Sequence, residues 1–327
     1  MIFTVKENEK VFCFGFARVN QWCGHNIVLK NKLIRHITKY FSNSKYLTDE
    51  DEIRVFIEGE EVGRKYFNTI WIRNREDLIS IIRNSKTGLL MKIVKERLNE
   101  FQYQDALERI DNELMRIFDE LENRLFCNIS NIMLNYERAD LFDIIQSSEA
   151  LSEKGKPLET MEEKELINTF LGLLEEYQSC IPEKVLIVFE NIDHIMTVQD
   201  YKEVLEKCRK LSTTSESYFI CSSSINRYVK INNELCEGIT VFNDLIYTVP
   251  DYEHLLDYIR ENYPYVTTLS DEQICEMLED IIHGVGKSDD IVQLESEVIR
   301  KIINKTMAIS NRMRKGVNPL IIPFLMQ

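Results

Sequence analysis

Two short stretches hold residue types that could handle a phosphate or a metal. One is the turn Gly24-His25-Asn26, which follows an apolar, extended stretch and opens a helical pattern with Lys30 a full turn in. The other is Lys184-Val-Leu-Ile-Val-Phe-Glu-Asn-Ile-Asp193, in which five apolar residues end on Glu190, with Asp193 three further on. A glycine turn at a helix start cradles phosphates through backbone N–H groups, and an acid at the end of a central strand holds a metal or a water. A working phosphate loop also needs several glycines, a Lys on the phosphates and a Ser or Thr for magnesium. Here the layout is present and those ligands are not, so Gly24, His25, Asn26, Glu190 and Asp193 are read as positions of a degenerate nucleotide site. Hydrolysis is not expected.

Other catalytic groupings are thin. Gly284-Val-Gly-Lys-Ser288 ends like a phosphate loop but follows a helical pattern, and Ile281 stands where the first glycine should be. It is read as an exposed interhelical turn. Ser222, Ser223 and Ser224 follow an apolar strand without the glycines of a nucleophile elbow. None of the five histidines is paired at metal spacing. No catalytic residue is assigned.

Basic residues form two groups. Lys32, Arg35, His36 and Lys39 recur at three and four on one helix, opposite Leu33, Ile37 and Tyr40. Arg300, Lys301, Lys305, Arg312, Arg314 and Lys315 cluster further on. Lys32, Arg35, Lys39, Arg312, Arg314 and Lys315 from these groups, together with Lys30 at the start of the first helix, are the candidate DNA-phosphate contacts. The same spacing equally describes the solvated face of an amphipathic helix.

The elements that would position these groups follow from periodicity. Val185–Phe189 has no alternation, so it reads as a strand buried on both faces, in a parallel sheet with helices on either side. Tyr201, Val204, Leu205, Cys208 and Leu211 then mark a helix, and Tyr218–Cys221 and Ile239–Val249 mark further strands. Residues 1–20 read as extended, as a hairpin or two strands with a polar link at Glu7–Lys10. Leu107, Ile110, Leu114, Ile117 and Leu121 form a coiled-coil-like seam within a long helical stretch, interrupted near 101–104. Ser147–Thr160 is polar, carries Gly155 and Pro157, and is the best internal linker. From Asp251 onward the pattern is helical.

Composition narrows the classes. The chain has 327 residues, 44% hydrophobic and 29% charged, with 11 Gly and 6 Pro, which fits a globular, helix-rich protein. The net charge of −14 argues against general DNA coating and leaves room only for local basic surface. The eight cysteines show no Cys-x-x-Cys pair, so a reducing cytoplasm is expected. No signal pattern and no stretch of ~18 apolar residues points to a membrane.

Four stretches together resemble a known family: Gly24–Lys30 with Tyr40-Phe41, Leu134–Ser147, Lys184–Asp193, and Val317–Leu320 with Phe324-Leu325. In this order and spacing the chain resembles the accessory adaptation protein of type II-A CRISPR systems, in its long form. The resemblance implies a discontinuous α/β head (1–87 and 161–250) with a degenerate P-loop-NTPase-like fold, a protruding helical domain (88–160) and a helical C-terminal extension (251–327). It implies a homotetrameric ring that threads double-stranded DNA from its ends, calcium as a cofactor, and work beside the CRISPR integrase and the guide-dependent nuclease. Acids cluster in the short form where this chain has Asn135 to Asp143. Glu137 and Asp140 remain as candidate calcium ligands, while Asn135 and Arg138 stand at acidic positions, so further ligands would come from elsewhere. Two other readings stay open: a nucleotide hydrolase using Glu190 with Asn26 and Lys30, and an assembly hub without a DNA role.

Overall fold

The computed structural model describes residues 1–42, 53–98, 101–126, 141–265, 269–287 and 294–307. Its strands are β1 (Ile2–Glu7), β2 (Lys10–Gly15), β3 (Val19–Cys23), β4 (Ile53–Ile57), β5 (Glu60–Glu61), β6 (Asn68–Ile72), β7 (Val185–Phe189), β8 (Ser217–Ser222), β9 (Ile239–Phe242) and β10 (Ile246–Thr248). The helices are α1 (Ile27–Phe41), α2 (Arg75–Ile82), α3 (Leu89–Leu98), α4 (Phe101–Phe126), α5 (Leu141–Ser147), α6 (Glu163–Cys180), α7 (Val198–Thr214), α8 (Tyr252–Asn262), α9 (Asp271–Ile281) and α10 (Leu294–Thr306).

The architecture is α/β. A six-stranded sheet has the order β10-β9-β3-β8-β7-β6, with β9, β3, β8, β7 and β6 parallel and β10 antiparallel at one edge. Every residue of β7 is buried, as its unbroken apolar run requires. All five residues of β3 are buried too, although two are amides. Gln21 satisfies both ends of its amide on Lys230, donating to the carbonyl and accepting from the N–H, each at 2.8 Å. The expected single strand over 239–249 is in fact two, β9 and β10, folded back on each other around Asn243–Leu245.

A second sheet, β2-β1-β4-β5, is antiparallel. Its strands alternate, placing Phe3, Val5, Val55 and Ile57 inward. These meet Phe16, Trp22, Phe67, Tyr218 and the apolar face of α1 in one aromatic-rich core. That core fixes α1 against the sheet, and so fixes the loop before it.

The chain divides into two compact units, Met1–Asp77 with Glu183–Gln327, and Leu78–Pro182. In the first, α8, α9 and α10 share a core with β9 and the 229–236 segment, through Leu255, Ile259, Leu278 and Ile302 among others. Helices α8, α9 and α10 therefore pack on the chain's own sheet. In the second, α3 and α6 pack together, and Arg97 pairs with Glu176 across them. This unit is wider than 88–160, because α6 packs with the helices before it. The stretch is two helices: α3 ends at Leu98, and residues 101–104, where the pattern is interrupted, form the first turn of α4. Along α4 three members of the seam, Ile110, Ile117 and Leu121, are 44–48% exposed, and Leu107 and Leu114 are half-buried.

Candidate functional site

The loop between β3 and α1 has the course of a phosphate loop, and its donors face inward. Gly24 has φ +100°, and a Cβ there would lie 2.4 Å from the carbonyl oxygen of Phe242. Glycine is required by the close approach of β9, with no ligand needed to explain it. The His25 N–H donates to Asn243 Oδ1 (2.7 Å), and the Asn26 N–H to the Phe242 carbonyl (2.9 Å). Asn26 donates from its amide to the Asn243 carbonyl (3.0 Å) and caps α1 by accepting from the Leu29 N–H (3.0 Å). Asn243 in turn donates to the carbonyls of His283 (2.8 Å) and Val285.

Lys30 is fully buried. Its ammonium donates to the Ser223 carbonyl and to Ser224 Oγ (2.9 Å) at the end of β8. Burial pulls its pKa down to about 8, against the opposing fields of Cys23 and Asp193. Lys30 is thus a correction to the candidate DNA contacts, since a side chain with no exposed surface cannot reach a phosphate. The signal was present: Lys30 stands three, four and seven residues before Leu33, Ile34 and Ile37, on the buried face of α1.

Asp193 belongs to the same cluster. Its Oδ2 accepts from the N–H groups of Ser224 (2.7 Å) and Ile225 (3.0 Å), fastening the loop that Lys30 also holds. His283 completes it, with Nε2 3.2 Å from Ser223 Oγ, and burial first, then Lys30 and His25, push its pKa down to about 3. Ser223, Asn243 and His283 carried no sequence signal for this role, being brought to the loop only by the strand order. The Gly284–Lys287 segment is a turn after α9, but its residues 284–286 are buried, which corrects the expected exposure. Asn243 and His283 hold it under β9.

Glu190 stands apart from this cluster. It is 5% exposed, and its Oε2 accepts from the Trp71 indole N–H (2.9 Å), on the neighbouring strand and 119 residues away. Burial raises its pKa, opposed by that hydrogen bond and by Arg35 and Arg73. The partner of this carboxylate is an indole. Arg73 lies over the Trp71 ring, 5.0 Å from its centroid, and is itself held by Asp77 at 2.8 and 2.9 Å.

The other basic residues of α1 have separate fates. Lys32 pairs with Glu7 (2.6 Å), which His36 also approaches (3.5 Å), so that end of the face is already partnered. Arg35 is exposed and Lys39 half-buried, and with Thr38, Ser42, Thr69 and Trp71 they line a cleft of about 330 Å³. In the second basic group Arg300 is buried and paired with Glu297 (2.7 Å). Arg312, Arg314, Lys315, Glu137 and Asp140 lie outside the described residues. Among the described residues no group of three or more His, Cys, Asp or Glu could hold a metal, and no helix is long and apolar enough to cross a membrane.

A family model described as CRISPR-associated protein Csn2, subfamily St, matches residues 8–321. The crystal structure of Stu0660 of Streptococcus thermophilus is similar with a TM-score of 0.86 at 22% identity, over 99% of this chain and 100% of that one. That likeness establishes the fold. An SMC head bound to the C-terminal winged-helix domain of ScpA covers 76% of this chain and 97% of its own at 12% identity, with a TM-score of 0.40. The SMC head domain of Thermotoga maritima covers 76% and 98% at 13% identity, with a TM-score of 0.34. Neither of these two carries weight at that level. No curated protein matches.

Proposed function

The chain belongs to the CRISPR-associated Csn2 family, subfamily St, and from that premise we propose that it serves spacer acquisition as a non-enzymatic, sequence-independent binder of double-stranded DNA ends. In this reading four copies form a ring around the duplex, calcium supports it, and the integrase complex and the guide-dependent nuclease are its partners in the cytoplasm. Binding rests on Lys and Arg contacts to phosphates, which position without reading bases. An acidic chain can do this when its basic groups line one surface.

The observation that carries the non-hydrolytic part is the engagement of Lys30 and of the His25 and Asn26 N–H groups by the chain's own carbonyls and amides. The groups a nucleotide would need are already satisfied, and the acid at the strand end faces an indole. Arg35 and Lys39 are the members of the α1 basic face that line an open cleft, and so the first to test.

The test is a titration of linear against closed circular duplex, with calcium and with chelator, at two salt concentrations. The expected result is preference for linear duplex and a steep fall of affinity with salt. A base-specific footprint would refute it. A second reading, a protein assembly hub without a DNA role, is favoured by the open apolar seam of α4. Absence of DNA binding in every arm would select it.

A further inference from the structure

We propose that the cleft between α1 and the edge strand β6 seats one unpaired nucleotide at a DNA end, with its base on Trp71 and its phosphate on Arg35 and Lys39. The inference rests on the DNA-end reading above and adds a site to it.

The indole is held rigidly before any ligand arrives. Its N–H is fixed by Glu190 at 2.9 Å, and the Arg73 guanidinium, clamped by Asp77, lies over the ring. A base needs such an immobile aromatic surface, because stacking is tolerant of base identity but loses value if the platform must first be ordered. Trp71 and Thr69 lie two apart on β6 and point the same way. Arg35, Thr38 and Ser42 lie one turn apart along α1 and form the facing wall with Lys39.

The polar groups of that wall are divided in a telling way. Thr38 donates to the Ile34 carbonyl (2.8 Å) and Ser42 to the Lys39 carbonyl (3.0 Å), so the helix offers the cleft mainly apolar surface between its cations. Thr69 Oγ1 is buried and has no hydrogen-bond partner among the described residues. The volume of about 330 Å³ lies at the small end of ligand sites, which suits one nucleotide and excludes a base pair with its stacked neighbour. No carboxylate lines the cleft among the described residues; Glu190 faces the indole N–H and lies within the fields of Arg35, Arg73 and Asp77, and Asp77 is already held by Arg73. Glu190 is then a positioning residue.

Trp22, the other tryptophan, is fully buried, so a change of emission on adding nucleotide reports Trp71. The full-length chain is titrated with a blunt duplex, with the same duplex carrying a one-nucleotide 5′-phosphorylated overhang, and with thymidine 5′-monophosphate. The expected result is at least fivefold tighter binding of the overhang duplex, accompanied by quenching. Arg35→Gln, at an exposed position, should weaken both duplexes and remove most of the difference between them. Trp71→Leu should abolish it, and Glu190→Gln, which keeps an acceptor for the indole, should restore near-normal quenching where Glu190→Ala does not. Equal affinity for both duplexes with unmoved emission overturns the cleft and leaves duplex binding standing. Quenching by the mononucleotide without any overhang preference also overturns the strand-end assignment. Quenching by overhang or mononucleotide while no duplex is bound through its body would instead retain the seat and refute the ring on DNA.

Discussion

Two polar regions flank α1, and they have opposite economies. At its N-terminal end, Asn26, Lys30, Asp193, Ser223, Asn243 and His283 hydrogen-bond in the interior, while Asp193 Oδ1 and His283 Nδ1 have no partner among the described residues. Further along, Arg35 and Lys39 face a cleft with the indole of Trp71 across from them. The first has the outline of a ligand site and holds the fold together. The second has no motif and is open. Groups already paired inside cost stability when removed, whereas groups facing water cost binding.

That contrast can be broken at several points, beginning with the largest expected effect. Gly24→Ala should destabilise the chain by about 3 kcal/mol or more, because the added methyl meets the β9 backbone and φ is positive. Chemical denaturation would measure it, and a loss below about 1 kcal/mol would show that β9 gives way easily.

Lys30→Met should cost about 2 kcal/mol by leaving the Ser223 carbonyl without its donor. Its pH dependence carries a sign. The folded pKa of about 8 lies below the ordinary 10.5, so between these values the unfolded chain holds more protons and stability rises with pH. The Met variant should lack that rise. A variant of full stability that fails only in DNA binding would return Lys30 to the surface set.

His283 works on the acid side. With a folded pKa of about 3 against 6.5, it contributes a loss of stability as pH falls from 6.5 towards 3, at a slope approaching about 1.4 kcal/mol per pH unit. His283→Asn should flatten that part of the acid denaturation curve.

Binding effects come next. Arg35→Gln and Lys39→Gln should each lower the salt dependence of duplex binding by about one unit of slope at nearly unchanged stability. Lys32→Ala should do least, because its partner is Glu7: less than about 1 kcal/mol in folding and little in binding. A larger binding loss at Lys32 than at Arg35 would reverse the comparison.

What could be read in advance followed from periodicity. The buried β7 followed from an unbroken apolar run, and the first two strands and the buried face of α1 from periods of two and 3.6; they emerged where expected. The α/β class followed from β7 together with the helix and strand after it. What could not be read was partnership. Trp71 and Glu190 meet because β6 pairs with β7, and Lys30 meets Ser223 because β3 pairs with β8. Strand order is a global property that local pattern does not encode. Grouping Lys30 with Lys32 by charge also overrode its position on the apolar face, where burial decided its role.

The interlocking around Asn243 bears on what sequence change this loop can accept. Its amide faces two carbonyls after α9 while its own oxygen holds the His25 N–H, and the Lys30 ammonium sits on the loop that Asp193 fastens. Inserting Gly-Lys-Ser between β3 and α1 would leave these partners stranded. A nucleotide loop there would need coordinated change at 26, 30, 223, 243 and 283, each step passing through a less stable chain. The arrangement therefore acts as a ratchet: with the interior closed around this loop, no single substitution opens it to a ligand.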